Sequence, residues 1–218
     1  MKKKYLKTTL LVAIATFAMA FPAFAGNFYV CSGTSFTLKP DVSTITYTTY
    51  EWTDGASTVL QTGATANYTT TVTLATATTA EAKTYRLRVQ NADGCWSDLA
   101  THTVYVLPQL TTTIAGANDF CAGVSITGNL TASTNYGSLN LTAAPGTGYN
   151  FSWTGGTGSV ASGTNNNTYS LTTAGAYNVT VAYTLPTNDG SKLSNCNGTA
   201  THTLTILAAP TTPVVVIE

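Results

Sequence analysis

The sequence predicts an all-β protein, built as two tandem β-sandwiches behind a cleaved export segment. Three observations carry this. Of the 218 residues, 46 are threonine and only 8% are charged. β-branched and aromatic residues alternate with threonine along much of the chain, as suits pleated, half-buried strands. Second, one phrase is written twice: "ATHTVYVLP" from Ala100 and "ATHTLTILAAP" from Ala200 hold the only two histidines, His102 and His202. Third, the four cysteines divide evenly, Cys31 and Cys95 in the first half, Cys121 and Cys196 in the second.

The first element is the export segment, 1–25. Lys2, Lys3, Lys4 and Lys7 make a basic start. An apolar run of about a dozen residues follows and ends at Ala23-Phe24-Ala25, the small-x-small pattern a signal peptidase needs. The run is too short to stay as a membrane span. Cleavage after Ala25 leaves 218 − 25 = 193 residues with 9 − 4 = 5 basic and 9 acidic side chains, a net charge of 5 − 9 = −4. That balance gives no basic patch and excludes a nucleic-acid partner. The mature chain is expected to be secreted or held at the cell surface, with no membrane span.

A sandwich of the immunoglobulin type needs about 100 residues, so the mature chain makes two: an immunoglobulin-like domain at 26–107 and another at 111–207, joined by Pro108 to Thr111. Each half opens on Cys-x-Gly and a short alternation, "VCSGTSFTL" and "FCAGVSITG". An aromatic strand follows, "TYEWTDG" and "YNFSWTGG", with Tyr149, Phe151 and Trp153 sharing one face by the two-residue period. "ANYTTTVTL" places Tyr68, Thr70, Val72 and Leu74 together. "TYRLRVQNADGC" turns Tyr85, Leu87 and Val89 inward and ends in a turn at Asn91 to Gly94. Its partner "AYNVTVAY" turns in Tyr177, Val179, Val181 and Tyr183. The repeated phrase closes each half as its last strand. Trp52 to Cys95 and Trp153 to Cys196 both span 43 residues.

An exported protein meets an oxidising compartment, so an even cysteine count reads as disulfides. Four cysteines allow three connectivities. Pairing within each half, Cys31 with Cys95 and Cys121 with Cys196, is the simplest, each bridge contributing roughly 4 kcal/mol by loop-closure entropy. No C-x-x-C occurs, and no metal site or cofactor is expected. His102 and His202 hold equivalent places on two last strands. A metal would need further ligands converging on one of them, so both read as structural.

The order Cys-x-Gly, aromatic-x-Trp, Tyr-x-[Leu/Val]-x-Val and a cysteine after the turn resembles the bacterial Ig-like and PKD-like tandem repeats of secreted and cell-surface proteins. Cys31, Gly33, Tyr50, Trp52, Tyr85, Leu87, Val89, Gly94 and Cys95 carry the likeness in the first half. Cys121, Gly123, Phe151, Trp153, Tyr177, Val179, Val181 and Cys196 carry it in the second. Asn195 stands where glycine usually precedes the cysteine, and "TLPTNDGSKLSN" is an insertion. The resemblance implies a spacer, adhesive or assembly module and not a catalyst.

The search for chemistry agrees with a non-enzymatic role. There is no G-x-S-x-G elbow, H-E-x-x-H or phosphate-cradling loop. Asp54, Asp93, Asp98 and Asp119 are isolated and fit turns. Two features could carry binding. Trp96, directly after Cys95, could stack on a sugar if exposed, or pack on a disulfide. The tail, 208–218, ends in Val214, Val215, Val216 and Ile217. Shifted by one hundred, Val214 falls on Ile114, so the tail reads as the first strand of a further unit. The first half has the opposite gap, few residues before Cys31. The expectation is a surface filament, its partner a second copy of the chain, assembled head to tail with the tail as donated strand. The alternatives are a monomeric carbohydrate-binding or adhesin module contacting glycans or other surface proteins, and the N-terminal fragment of a longer repeat protein.

Overall fold

The computed structural model describes residues 28–40, 46–116, 119–144, 146–156, 163–164 (backbone), 167–186 and 196–214. The expected export segment, most of the insertion, and Val215, Val216 and Ile217 lie outside these residues.

The N-terminal half contains β1 (Phe28–Cys31), β2 (Ser35–Leu38), β3 (Thr49–Asp54), β4 (Val59–Gly63), β5 (Tyr68–Thr71), β6 (Glu81–Gln90) and β7 (Ala100–Leu107). Five form a sheet in the order β1-β7-β6-β3-β4, and β2 pairs with β5 opposite it. The C-terminal half contains β8 (Thr112–Ala115), β9 (Asp119–Cys121), β10 (Asn129–Thr134), β11 (Gly148–Gly155), β12 (Gly163–Thr164), β13 (Thr168–Ser170), β14 (Gly175–Thr184) and β15 (Gly198–Leu207). The five-stranded order is β12-β11-β14-β15-β9, faced by β13-β10-β8. Both halves are thus the same all-β, immunoglobulin-like arrangement: a sheet centred on the penultimate strand, a short strand ending in the Cys-x-Gly cysteine beside the last one, and a smaller sheet across the core.

The inward residues are the ones the two-residue period marks. Trp52 lies beside Leu87 across β3 and β6, and Trp153 beside Val179 across β11 and β14. Both indoles are buried. In the facing sheets, Tyr68 stacks on Trp52 and Tyr169 lies against Trp153 at 5.6 Å. The Tyr177 hydroxyl donates to the Thr173 carbonyl just before its strand, the corner that braces such sandwiches. Gly33 and Gly123, the glycines of Cys-x-Gly, both take positive φ (78° and 87°), a turn geometry that favours glycine. Trp52 sits on the third strand of its half. Trp153 sits on the fourth of its own, because β8 and β9 both precede β10.

The cysteine pairing corrects the expectation. The bond is Cys31–Cys196, across 165 residues, with Cα atoms 5.4 Å apart. Cys95 and Cys121 are exposed and not disulfide-bonded. The reason is strand length. Cys31 pairs with Leu107 at the end of β7, while Cys95 precedes the start of that strand at Ala100. Seven strand steps at 3.3 Å separate those ends by roughly 23 Å, and a disulfide tolerates about 7 Å between Cα atoms. Likewise Cys121 pairs with Leu207 at the end of β15, while Cys196 precedes its start at Gly198. Each half therefore carries its two cysteines at opposite ends, and only the ends that meet can bond.

Candidate assembly surfaces

The meeting of the halves is a packed joint. Pro108 to Thr111 is drawn into it: Leu110 is buried, its N–H donates to the Cys196 carbonyl at 3.2 Å, and the Tyr183 hydroxyl donates to the Pro108 carbonyl at 2.8 Å. Tyr29, Cys31, Leu107 and Leu110 share one buried cluster with Tyr149, Tyr183 and Cys196. Asn140 adds a backbone clasp, accepting from Ala80 N–H at 2.9 Å and donating to Thr78 at 2.7 Å. From this joint the chain runs directly into β8, which pairs antiparallel with the second half of β10.

The halves superimpose register by register. His102 pairs with Tyr85 and His202 with Tyr177. Cys31 lies beside Leu107 and Cys121 beside Leu207. Leu38 lies beside Tyr68 and Leu130 beside Tyr169. Two differences stand out under this correspondence. The first is the missing opening strand. β10 runs past Leu130 to Thr134, its far part held by β8, whereas β2 stops at Leu38 and Lys39 and Pro40 are coil. Among the described residues, no strand of the N-terminal half occupies the place of β8. A groove of about 340 Å³ opens there between β1 and β2, lined by Phe28, Val30, Phe36, Leu38, Trp52 and His102. The corresponding space in the other half is closed by β8, whose Ile114 packs onto the core.

The second difference is exposure. Val106 is fully buried in its own half's core and Leu107 at the joint, while their counterparts Ile206 and Leu207 are 53% and 51% exposed. Val124 is exposed beside them, after the Cys121 turn. The far end of the C-terminal half is an apolar surface of the type that is covered at the end of the N-terminal half.

The residues singled out from sequence fall as follows. Val214 is described and 88% exposed, beyond β15; the other three apolar tail residues lie outside the described residues. Trp96 is 39% exposed. It does not pack on a disulfide, since Cys95 forms none; the Arg88 guanidinium lies 4.5 Å from its ring centre and takes one face. That guanidinium also bonds Glu51 at 2.7 Å. His102 lies edge-on to Phe28, and burial holds its pKa below the ordinary imidazole value. The two histidines are in different halves and share no site. Asp54 closes the β3–β4 turn, accepting from Ala56 and Thr58 N–H at 2.9 and 2.8 Å. These bonds hold its carboxyl below the usual range. Burial pushes the Tyr149 hydroxyl up to about 12. Among the described residues, no three His, Cys, Asp or Glu side chains group as metal ligands, and no helix is long and apolar enough to cross a membrane. Sequence reasoning missed the groove and the Ile206–Leu207 surface.

No family model matches the chain, and no curated protein matches it. Solved structures do resemble it. The fibronectin(III)-like modules of Clostridium thermocellum CbhA are 13% identical, with 90% of this chain and 98% of that one covered at a TM-score of 0.45. The amphioxus IgVJ-C2 molecule is 16% identical over 82% and 99%, TM-score 0.33. The chicken CNTN1 FN1-FN3 domains are 12% identical over 80% and 64%, TM-score 0.36.

Proposed function

We propose that the protein is an exported, non-enzymatic structural subunit of two immunoglobulin-like units, 26–107 and 111–207, which assembles head to tail at the cell surface. In this reading the tail of one copy supplies the opening strand of the next copy's first unit.

The observation that carries the reading is the contrast between β8 and its vacant counterpart. In the C-terminal half a segment arriving from the preceding unit completes the smaller sheet. In the N-terminal half the matching edge has no strand among the described residues, and a groove lies open beside it. The tail has the right residues in the right place: Val214 follows Leu207 by the seven residues that separate Ile114 from Leu107. Pro40 does not obstruct the pairing. It occupies the position of Ala132, whose N–H donates away from β8, to the Asn167 carbonyl at 2.7 Å. A proline loses no ladder bond on that side. The contact joins different surfaces of two copies, so it propagates and yields a filament. The disulfide fits an oxidising compartment outside the cytoplasm, as does the leader-like start of the chain.

Truncation tests this directly. The mature chain is expected to form concentration-dependent multimers in mass photometry, and a chain ending at Ala209 to remain monomeric. A synthetic peptide of residues 208–218 should bind the truncated chain and block assembly of the intact one. Equal self-association of both chains would refute the donated strand.

A further inference from the structure

The cysteine left at each outer end has a counterpart inside the joint. Cys31 and Cys121 sit at the ends of β1 and β9, beside Leu107 and Leu207. Cys196 and Cys95 both precede the last strand, four residues before Ala200 and five before Ala100, which are themselves equivalent. Cys31 bonds Cys196 where the halves meet. Cys121 and Cys95 face outward, at the two ends remote from that joint.

From this repetition we infer that Cys121 of one copy forms an intermolecular disulfide with Cys95 of the next. The inference rests on the head-to-tail reading above and adds a covalent bond to it. The surfaces around the two thiols fit. Ile206, Leu207 and Val124 lie exposed around Cys121; Trp96 and Leu99 lie exposed around Cys95. At the internal joint Leu107, the residue matching Leu207, is buried in the cluster shared with the next half. Within one chain the two thiols cannot meet, because each is at the outer end of a different half. Tail and thiol cooperate: the tail leaves β15 from the end that carries Cys121, and its groove borders the end of the first half where Cys95 lies.

The bond is a two-electron oxidation and needs an electron acceptor, a low-molecular-weight disulfide or a dithiol oxidoreductase in its disulfide form. One thiolate attacks the acceptor disulfide, forms a mixed disulfide and expels one acceptor thiolate. The second copy's thiolate then attacks the protein sulfur of that mixed disulfide. The protein S–S bond forms, and the second acceptor thiolate leaves. The two protons lost by the cysteines end on the two acceptor thiols.

The experiment uses the mature chain incubated with oxidised and reduced glutathione and run on a non-reducing gel. A ladder of covalent multimers is expected, collapsing to monomer on reduction. Mixed ¹⁵N-labelled and unlabelled chains should yield a Cys95–Cys121 cross-linked peptide of mixed label by mass spectrometry. Cys95→Ser and Cys121→Ser chains should each give no ladder alone, and their mixture should give dimer only. Ending the chain at Ala209 should slow cross-linking at least tenfold, because the tail sets the local thiol concentration. Symmetric Cys95–Cys95 or Cys121–Cys121 dimers, or no ladder at all, would overturn the inference. The Cys95→Ser/Cys121→Ser double variant separates it from the reading beneath: multimers of that variant without cross-links in the parent keep the donated strand and remove the disulfide. Strictly monomeric double variant, with the parent uncross-linked, removes both.

Discussion

At the residue scale, His102 shows what the repeated phrase encodes. The two histidines occupy one register position, opposite Tyr85 in one half and Tyr177 in the other. They repeat because the strand repeats. His102 carries a pH dependence all the same. It is partly buried beside Phe28, its Nδ1 has no hydrogen-bond partner, and burial lowers its pKa from 6.5. Below that value the unfolded chain takes up the proton more readily than the folded one. Stability from the neutral ring is therefore full above about pH 6.5 and lost as pH falls toward the folded pKa. The melting temperature of the parent should drop more between pH 7.5 and 5.5 than that of His102→Phe. Equal drops would mean that the ring is effectively solvated. The lowered carboxyls, Asp54 and Glu81, act in the same direction but at lower pH, through the carboxylate range. The inward residues were legible because the two-residue period alone sorts Tyr149, Phe151 and Trp153 from Asn150 and Ser152. The cysteine partners were not. Periodicity says which face a residue takes, but pairing depends on which end of a strand meets which, and that is a property of the joint.

At the element scale, β8 is the informative strand. It is short and rich in threonine, and it takes its place from the chain before it and the β10 edge beside it. Among the described residues the N-terminal half has no such strand, and β2 ends at Leu38, with Lys39 and Pro40 in coil, where β10 continues. A strand edge with open backbone groups gains hydrogen bonds and apolar contacts when filled. Moving the donor onto the same chain tests this without a filament. Between Ala115 and Asp119 lie 119 − 115 − 1 = 3 residues. If residues 208–218 are deleted and Thr211–Val216 is placed directly ahead of Asn27, three residues again separate Val215 from Tyr29, the counterpart of Asp119. Such a chain should be monomeric at every concentration and melt above the chain ending at Ala209. Protection of the Lys39 amide in hydrogen exchange should rise at least tenfold. An unchanged melting temperature and an unprotected Lys39 would show that the groove does not accept the segment. The sequence shift that aligns Val214 with Ile114 is what marks the tail as the proposed donor. The open β2 edge was not legible, because an edge of that kind is defined by the folded neighbours around it.

At the scale of the molecule, the joint decides whether the halves act as two beads or one rod. A short connection between tandem sandwiches suggests independent units, and composition offers nothing against that. The packing does. Leu107 and Leu110 are buried among residues of the following half, and Tyr183 reaches back to Pro108. The bridge between Cys31 and Cys196 closes 165 residues, a loop whose closure contributes about 5 kcal/mol in the chain-entropy account. Packing and bridge together couple the two halves. The oxidised parent chain should therefore unfold in a single calorimetric transition whose van't Hoff and calorimetric enthalpies agree. Leu110→Ala removes the side chain that the connection buries, a loss of about 2–5 kcal/mol at a well-packed site. Combined with Cys31→Ser and Cys196→Ser, it should split the transition in two, each half melting on its own core, around Trp52 and around Trp153. With Trp96 also replaced by Phe, the two core indoles report separately in Trp52→Phe and Trp153→Phe backgrounds, so the order of melting can be read by fluorescence. A triple variant that still unfolds in one coincident step would show that the halves are coupled through contacts other than Leu110 and the bridge, with the Asn140 clasp the first to examine.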